Sequence, residues 1–130
     1  DVIGCHNIQL INAAVWSESD KTLKMATGRI SVCQCITDDG EDVKTICLDD
    51  LDVGDVTFIK VDVEGCEYQL FTGAKKLIQK YSPVMYVELK DKCLRKYGSS
   101  KEKVMSLLSD YGYIVVDRIR DDYIYVHKDY

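Results

Sequence analysis

The sequence predicts an α/β fold built around a parallel β-sheet, and two observations carry this prediction. An almost continuous apolar run covers residues 56–63, as is typical of a parallel strand that is covered on both faces. A glycine and an amphipathic helical pattern at about residues 66–81 follow it and lead into a second apolar run at residues 84–89. A strand, a helix and a strand in this order predict a right-handed crossover that joins two parallel neighbours.

The first 50 residues predict shorter strands. Residues 8–15 and 21–26 have the composition of strands, and the first is expected to be a parallel neighbour of the two central strands. A β-hairpin is predicted at residues 29–48, inserted beside the main sheet, because a polar turn separates two apolar segments there. Asp49 and Asp50 are expected to cap a short turn.

In the second half of the chain, glycines and a capping box mark where helices begin, break or end. Gly73 lies inside the helical pattern at a cost of about 1 kcal/mol relative to alanine, so we expect close packing or a helix break there. The capping box Ser99-x-x-Glu102 predicts the start of another helix, and Gly112 its end. Residues 113–118 and 123–127 are predicted to form an antiparallel pair.

Composition limits the class of protein. The 130 residues are 46% hydrophobic and 30% charged, so we treat residues 1–130 as one globular domain. A net charge of −5 disfavours a nucleic-acid partner, and no apolar stretch is long enough to predict a membrane partner. The six cysteines and two histidines lack zinc-binding spacing, so no metal is expected and reduced thiols in the cytoplasm are favoured over disulfides.

Charged residues at the end of the central strand form the candidate site. Lys60, Asp62 and Glu64 lie two residues apart, so a regular strand would project all three to one face. Glu88 ends the next strand, and open α/β sheets bind ligands at this edge. The structural alternative is an ion pair of Lys60 with Asp62 or Glu64, together with Glu64 or Glu67 as a charge that favours the start of the following helix.

A family resemblance adds to these observations. The stretch Phe58-Ile-Lys-Val-Asp-Val-Glu-Gly-Cys-Glu67, with Gly73-Ala74 and Pro83–Glu88 after it, resembles the second half of an FkbM-type methyltransferase domain. Asn12–Val15 and Thr45–Leu51 fit the same order upstream. The resemblance implies the class I, Rossmann-like fold. It also implies methyl transfer from S-adenosylmethionine, mostly to oxygen, with a sugar, glycan or other small hydroxylated molecule as the acceptor.

The resemblance assigns roles to the charged residues. Asp62 and Glu64 would lie at the mouth of the active site, with Lys60 below them. The three are the candidate catalytic groups, because a carboxylate, or a lysine whose pKa burial has lowered, can take the proton of the acceptor. Glu64 and Glu88 would bind the acceptor.

The resemblance also predicts the cofactor site. Asn12, Ala13 and Ala14 would lie beneath the adenine, and Asp62 would contact the cofactor as well. The glycine-rich turn and the ribose-binding acid of the family have no counterpart before Asn7. We therefore expect the C-terminal part of a domain that lacks its first two strand–helix units. Such a chain should bind the cofactor weakly or not at all, and a homodimer should cover its open sheet face, with partial disorder of that region as the alternative.

Two other functions stay open. Asp62, Glu64 and Glu88 are the ligand type that a divalent metal takes in a nucleotide-sugar transferase. A degenerate half-domain that serves assembly or regulation would have no catalytic role at all.

Overall fold

The structure is a computed structural model that describes residues 7–26 and 36–130. No helix in these residues is long and apolar enough to cross a membrane. A 3₁₀ turn covers Leu48–Asp50, and the strands and helices are β1 (Ala14–Val15), β2 (Thr22–Met25), β3 (Glu41–Ile46), β4 (Phe58–Val61), α1 (Glu67–Thr72), α2 (Lys75–Tyr81), β5 (Val84–Glu88), α3 (Asp91–Lys96), α4 (Lys101–Asp110), β6 (Tyr113–Ile119) and β7 (Asp122–His127).

The main sheet has four strands in the order β4-β5-β7-β6. β4 and β5 are parallel neighbours, with Val61 opposite Val87, and α1 and α2 lie between them in the chain. This confirms the predicted pairing of the two central strands. β7 pairs antiparallel with both β5 and β6, so the predicted C-terminal antiparallel pair is also confirmed.

The first strand is shorter than predicted and belongs to a second sheet of order β1-β3-β2. β1 pairs in parallel with β3, with Ala14 opposite Thr45. The prediction that residues 8–15 form a strand beside β4 is therefore wrong. Ile8, Leu10 and Ile11 remain exposed, so their apolar character does not mark a buried strand.

The predicted hairpin at residues 29–48 has different partners. β3 pairs antiparallel with β2, as in Thr22 opposite Lys44, and its other edge is taken by β1. The prediction that residues 29–48 form a hairpin is therefore wrong, although β2 itself confirms the strand predicted at residues 21–26. Most of the first arm of that hairpin, up to residue 35, lies outside the described residues.

The predicted helix at residues 66–81 is broken into α1 and α2 at Gly73 and Ala74. A Cβ atom on Gly73 would lie 2.4 Å from the carbonyl oxygen of Trp16. Both outcomes expected of this glycine, close packing and a helix break, are therefore confirmed. The contact brings the segment after β1 against the main body of the fold.

Two helix caps differ from prediction. The side chain of Asp49 accepts hydrogen bonds from the N–H groups of Lys76 and Leu77, so it caps α2 and not the short turn that contains it. Ser100, and not the neighbouring Ser99, is the N-cap of α4, and its hydroxyl oxygen accepts from the N–H of Lys103. A shift of one residue is within the usual uncertainty of a cap predicted from sequence.

The core lies between the main sheet and its helices. The hydroxyl of Tyr113 donates a hydrogen bond of 2.9 Å to the carbonyl oxygen of Pro83 within it. The buried members of the core come from all four strands of the main sheet and all four helices, and include Val61, Leu70, Phe71, Leu77, Ile78, Met85, Val87, Leu94, Val104, Leu108, Tyr113 and Tyr125.

Candidate active site

A cavity of about 360 Å³ opens where the carboxyl end of β4 faces the three-stranded sheet. This is within the range of small-molecule sites, roughly 300–1,000 Å³. Its walls combine small and apolar residues with two carboxylates, and they comprise Ala13, Ala14, Val15, Trp16, Leu23, Met25, Ile36, Asp62, Val63, Glu64, Cys66 and Tyr97.

The cavity brings together four of the seven residues that the sequence singled out. Ala13 and Ala14 form one wall, and Asp62 and Glu64 form another, although about 50 residues separate them in the chain. The remaining three lie outside its lining, namely Asn12, Lys60 and Glu88.

Lys60 does not share the setting of the two carboxylates that follow it. β4 ends at Val61, so the alternation that would align the three side chains does not continue. The Lys60 side chain is exposed and its Nζ lies 3.5 Å from Asp62 Oδ2. Lys60 therefore lacks the burial on which its candidacy as a base depended, and its contact is the ion pair of the structural alternative.

The turn from β4 into α1 has a strained backbone. Glu64 has a φ of 53° and Gly65 a φ of 113°, so two consecutive residues lie in the left-handed half of φ space. A residue with a Cβ rarely adopts this conformation, and such outliers concentrate at functional sites. A Cβ on Gly65 would lie 2.4 Å from the carbonyl oxygen of Cys93, so only glycine fits there.

Three carboxylates converge at the ends of β4 and β5. Asp62, Glu64 and Glu88 each place an oxygen within 4.8 Å of the others. The Nζ of Lys90 lies 2.8 Å from Glu88 Oε2 and 3.7 Å from Glu64 Oε1. The hydrogen bond to Glu88 and the charge of Glu64 hold the pKa of Lys90 well above its ordinary value, so Lys90 is a fixed cation.

Lys90 is a site residue that the sequence interpretation missed. The available signal was its position two residues after Glu88, since an extended chain puts residues i and i+2 on the same side. The thiol of Cys93 also reaches the site and donates to Glu64 Oε2 at 3.6 Å. Burial raises the pKa of Cys93, which favours the protonated thiol.

Glu67 is far more buried than a charge at the start of a helix should be. It is the first residue of α1, as predicted, but its residue surface is only 2% exposed. Its Oε1 accepts a hydrogen bond of 3.1 Å from the N–H of Gly65, while Oε2 has no hydrogen-bond partner among the described residues. Burial raises the pKa of Glu67 against the lowering effect of nearby backbone N–H groups.

A comparison of the sequence with models of protein families identifies the family of this chain. The sequence model of the methyltransferase FkbM domain matches residues 11–115, which include β1, the β4 turn and β5. The chain belongs to the FkbM methyltransferase family. Both walls of the cavity in this FkbM domain, Ala13–Ala14 and Asp62–Glu64, lie inside the matched range.

One solved structure was also found to be similar to this FkbM domain. The crystal structure of methyltransferase FkbM from Methylobacillus flagellatus KT has 22% sequence identity and a TM-score of 0.47. The alignment covers 66% of this chain and 24% of that one, so the FkbM domain described here spans about a quarter of that protein. No curated protein sequence matches the chain significantly.

Proposed function

We propose that the whole protein is an S-adenosylmethionine-dependent methyltransferase that methylates a hydroxyl group of a sugar, glycan or other small hydroxylated molecule. One observation carries the proposal. In a chain of the FkbM family, the small residues Ala13 and Ala14 and the carboxylates of Asp62 and Glu64 line a single cavity at the carboxyl end of a parallel strand. Ligands of open α/β sheets bind at this edge.

The lining of the cavity suits the adenine end of the cofactor. Trp16, Leu23, Met25 and Ile36 offer flat or apolar surface beside the two alanines, and the Asp62 carboxylate is an acceptor for hydroxyl or amino groups. The parallel β4–β5 pair with its antiparallel neighbour β7 supports a class I, Rossmann-like sheet. No glycine-rich turn occurs in the sequence, so we propose that the chain alone binds the cofactor weakly.

The carboxylates supply the chemistry that the chain itself contributes. Bound S-adenosylmethionine supplies an activated methyl group on sulfur. The carboxylate of Asp62 or Glu64 would bind the acceptor hydroxyl and take its proton as the oxygen is methylated. Asp62 and Glu64, with Glu88 beside them, would also orient the acceptor hydroxyl toward the activated methyl group.

The charge of the site favours a neutral acceptor. Asp62, Glu64 and Glu88 bring three negative charges together, and Lys90 and the exposed Lys60 offset two of them. A phosphorylated or carboxylated acceptor would be repelled by the remaining charge, whereas an uncharged hydroxyl would not. We therefore propose an uncharged polyol as the acceptor class.

Cofactor binding tests the proposal. Isothermal titration of the whole protein with S-adenosylmethionine should give micromolar binding. Ala14→Leu should weaken it by about tenfold or more, since the added atoms fill the cavity, whereas Ala26→Leu, outside the lining, should leave it unchanged. Absence of binding by the whole protein would contradict the proposal and favour the non-catalytic half-domain.

The convergence of three carboxylates keeps a second candidate in view, a divalent-metal site of the kind that nucleotide-sugar transferases use. The ammonium group of Lys90 already pairs with two of the three, which weakens this alternative. We expect Mg²⁺ or Mn²⁺ to leave the unfolding temperature unchanged. A metal-dependent rise in that temperature, abolished by Glu88→Gln, would favour the metal-dependent transferase instead.

A further inference from the structure

The position of Glu67 is unusual for a carboxyl group. It is buried beneath the turn that connects β4 to α1, and one of its oxygens has no hydrogen-bond partner among the described residues. A buried polar group with an unmade hydrogen bond lowers the stability of a fold. Packing alone therefore gives no reason for a carboxyl group at this position.

The Glu67 side chain is hydrogen-bonded to the turn directly beside its strained residue, Glu64. Its Oε1 accepts from the N–H of Gly65 at 3.1 Å. Gly65 and the preceding Glu64 are the two consecutive residues with positive φ. Such a conformation persists only where surrounding contacts hold it, and the Glu67 carboxyl is one such contact.

We propose that Glu67 is a positioning residue that holds the turn at Glu64 and Gly65, so that the carboxylates of Asp62 and Glu64 face the cavity. Glu67 does not belong to the cavity lining, whereas Asp62 and Glu64 do. It therefore acts through these two residues and not on the substrate. The catalytic part of this inference rests on the proposed methyl transfer, and the structural part does not.

The test uses two substitutions of similar size in the whole protein. Glu67→Gln keeps a carbonyl oxygen that can accept from Gly65, and Glu67→Met keeps the length but accepts nothing. We expect Glu67→Gln to retain kcat within about threefold. Glu67→Met should lower kcat by about 10–100-fold with little change in the KM for S-adenosylmethionine, because a misplaced catalytic group costs rate.

Hydrogen exchange separates positioning from a purely structural role. Exchange of the Gly65 amide, followed by NMR, should accelerate in Glu67→Met and stay slow in Glu67→Gln, while the unfolding temperature of Glu67→Met should be equal to or above that of the unsubstituted protein. Should Glu67→Met fail to fold, Glu67→Asp, which is one methylene shorter, takes its place with the same expectation.

Two results would overturn the inference. One is an unchanged kcat in Glu67→Met despite fast exchange at Gly65, and the other is unchanged exchange at Gly65. A protein that transfers no methyl group would instead refute the proposed function. In that case the exchange at Gly65 still decides whether Glu67 holds the turn.

Discussion

Asp49 Oδ1 accepts a hydrogen bond of 2.8 Å from the backbone N–H of Leu77, and its Oδ2 accepts one of 3.1 Å from Lys76. The first turn of α2 leaves these N–H groups without a partner inside the helix. A side chain from the turn after β3 therefore completes the helix and ties the two regions of the fold together.

Removal of the Asp49 carboxylate should lower stability without touching the site. We expect Asp49→Ala to reduce the free energy of unfolding by about 1 kcal/mol, the usual loss for a helix cap. Urea denaturation measures the change, and Asp55→Ala, at an exposed aspartate in the following segment, is the control. Equal stability of the two variants would show that the cap contributes nothing.

Gly73 should tolerate no side chain. In Gly73→Ala, the new methyl group would meet the Trp16 carbonyl oxygen, and we expect a loss of about 1–3 kcal/mol in the free energy of unfolding. Gly54→Ala is the matched control, because a Cβ there meets no atom within 4 Å. A stabilised Gly73→Ala variant would mean that helix propensity outweighs this contact.

The parallel strands β4 and β5 were the most predictable part of the fold, although Phe58 is exposed and the expected covering of both faces of β4 is wrong. Val61 and Val87 lie in apolar runs that are typical of parallel strands, and their pairing follows from the strand–helix–strand order. The prediction of a strand at residues 8–15 was wrong because Ile8, Leu10 and Ile11 are apolar but exposed. Sequence pattern cannot distinguish such residues from buried ones without knowledge of what covers them.

The left-handed conformation of Glu64 allows stability and activity to be separated. Glu64→Gly should relieve the backbone strain and leave stability unchanged or raise it by about 1 kcal/mol, while methyl transfer is abolished. Ser82→Gly is the matched control. Ser82 has a φ of 47° outside the site, so we expect the same stability change with normal activity. A clear loss of stability in Glu64→Gly alone would show that the Glu64 side chain is structural.

Two buried tyrosines should make the protein sensitive to alkali. Burial raises the pKa of Tyr113 and Tyr125 to about 12 each, above the ordinary value near 10 of an unfolded chain. A raised pKa in the folded state contributes stability below about pH 10, which is lost as the pH rises towards 12. We therefore expect the free energy of unfolding to decrease over this interval, as urea titrations at successive pH values would measure.

Phenylalanine substitutions distinguish the two tyrosines at neutral pH. Tyr113→Phe loses the hydrogen bond to Pro83 and should cost about 1 kcal/mol. Tyr125→Phe removes a buried hydroxyl that has no partner among the described residues, so stability should be unchanged or higher. In each variant, the free energy of unfolding should decrease less between pH 10 and 12 than it does in the unsubstituted protein. The opposite order at neutral pH would contradict these assignments.

The candidate site was only partly predictable. Asp62 and Glu64 follow the parallel strand β4, and the carboxyl end of such a strand is the edge where open α/β sheets bind ligands. The contribution of Lys90 depends on how the chain continues past Glu88, and that of Glu67 depends on burial under a turn. The burial of Glu67 is a consequence of tertiary packing, which local spacing does not contain, whereas Lys90 had a local signal in its position two residues after Glu88.

Methyl transfer by the whole protein is the measurement that tests the account most directly. The unfolding temperature first checks the fold of the Asp62→Asn and Glu64→Gln variants. Both variants and the unsubstituted protein are then incubated with methyl-labelled S-adenosylmethionine and a set of uncharged polyols and glycans. We expect the unsubstituted protein to transfer label to the acceptor. The rate of transfer should decrease by about 10²–10⁴-fold in both variants, because each keeps the size of the side chain but loses the carboxylate that takes the proton or orients the acceptor. Near-normal transfer by both variants would contradict the account and leave Asp62 and Glu64 as structural residues.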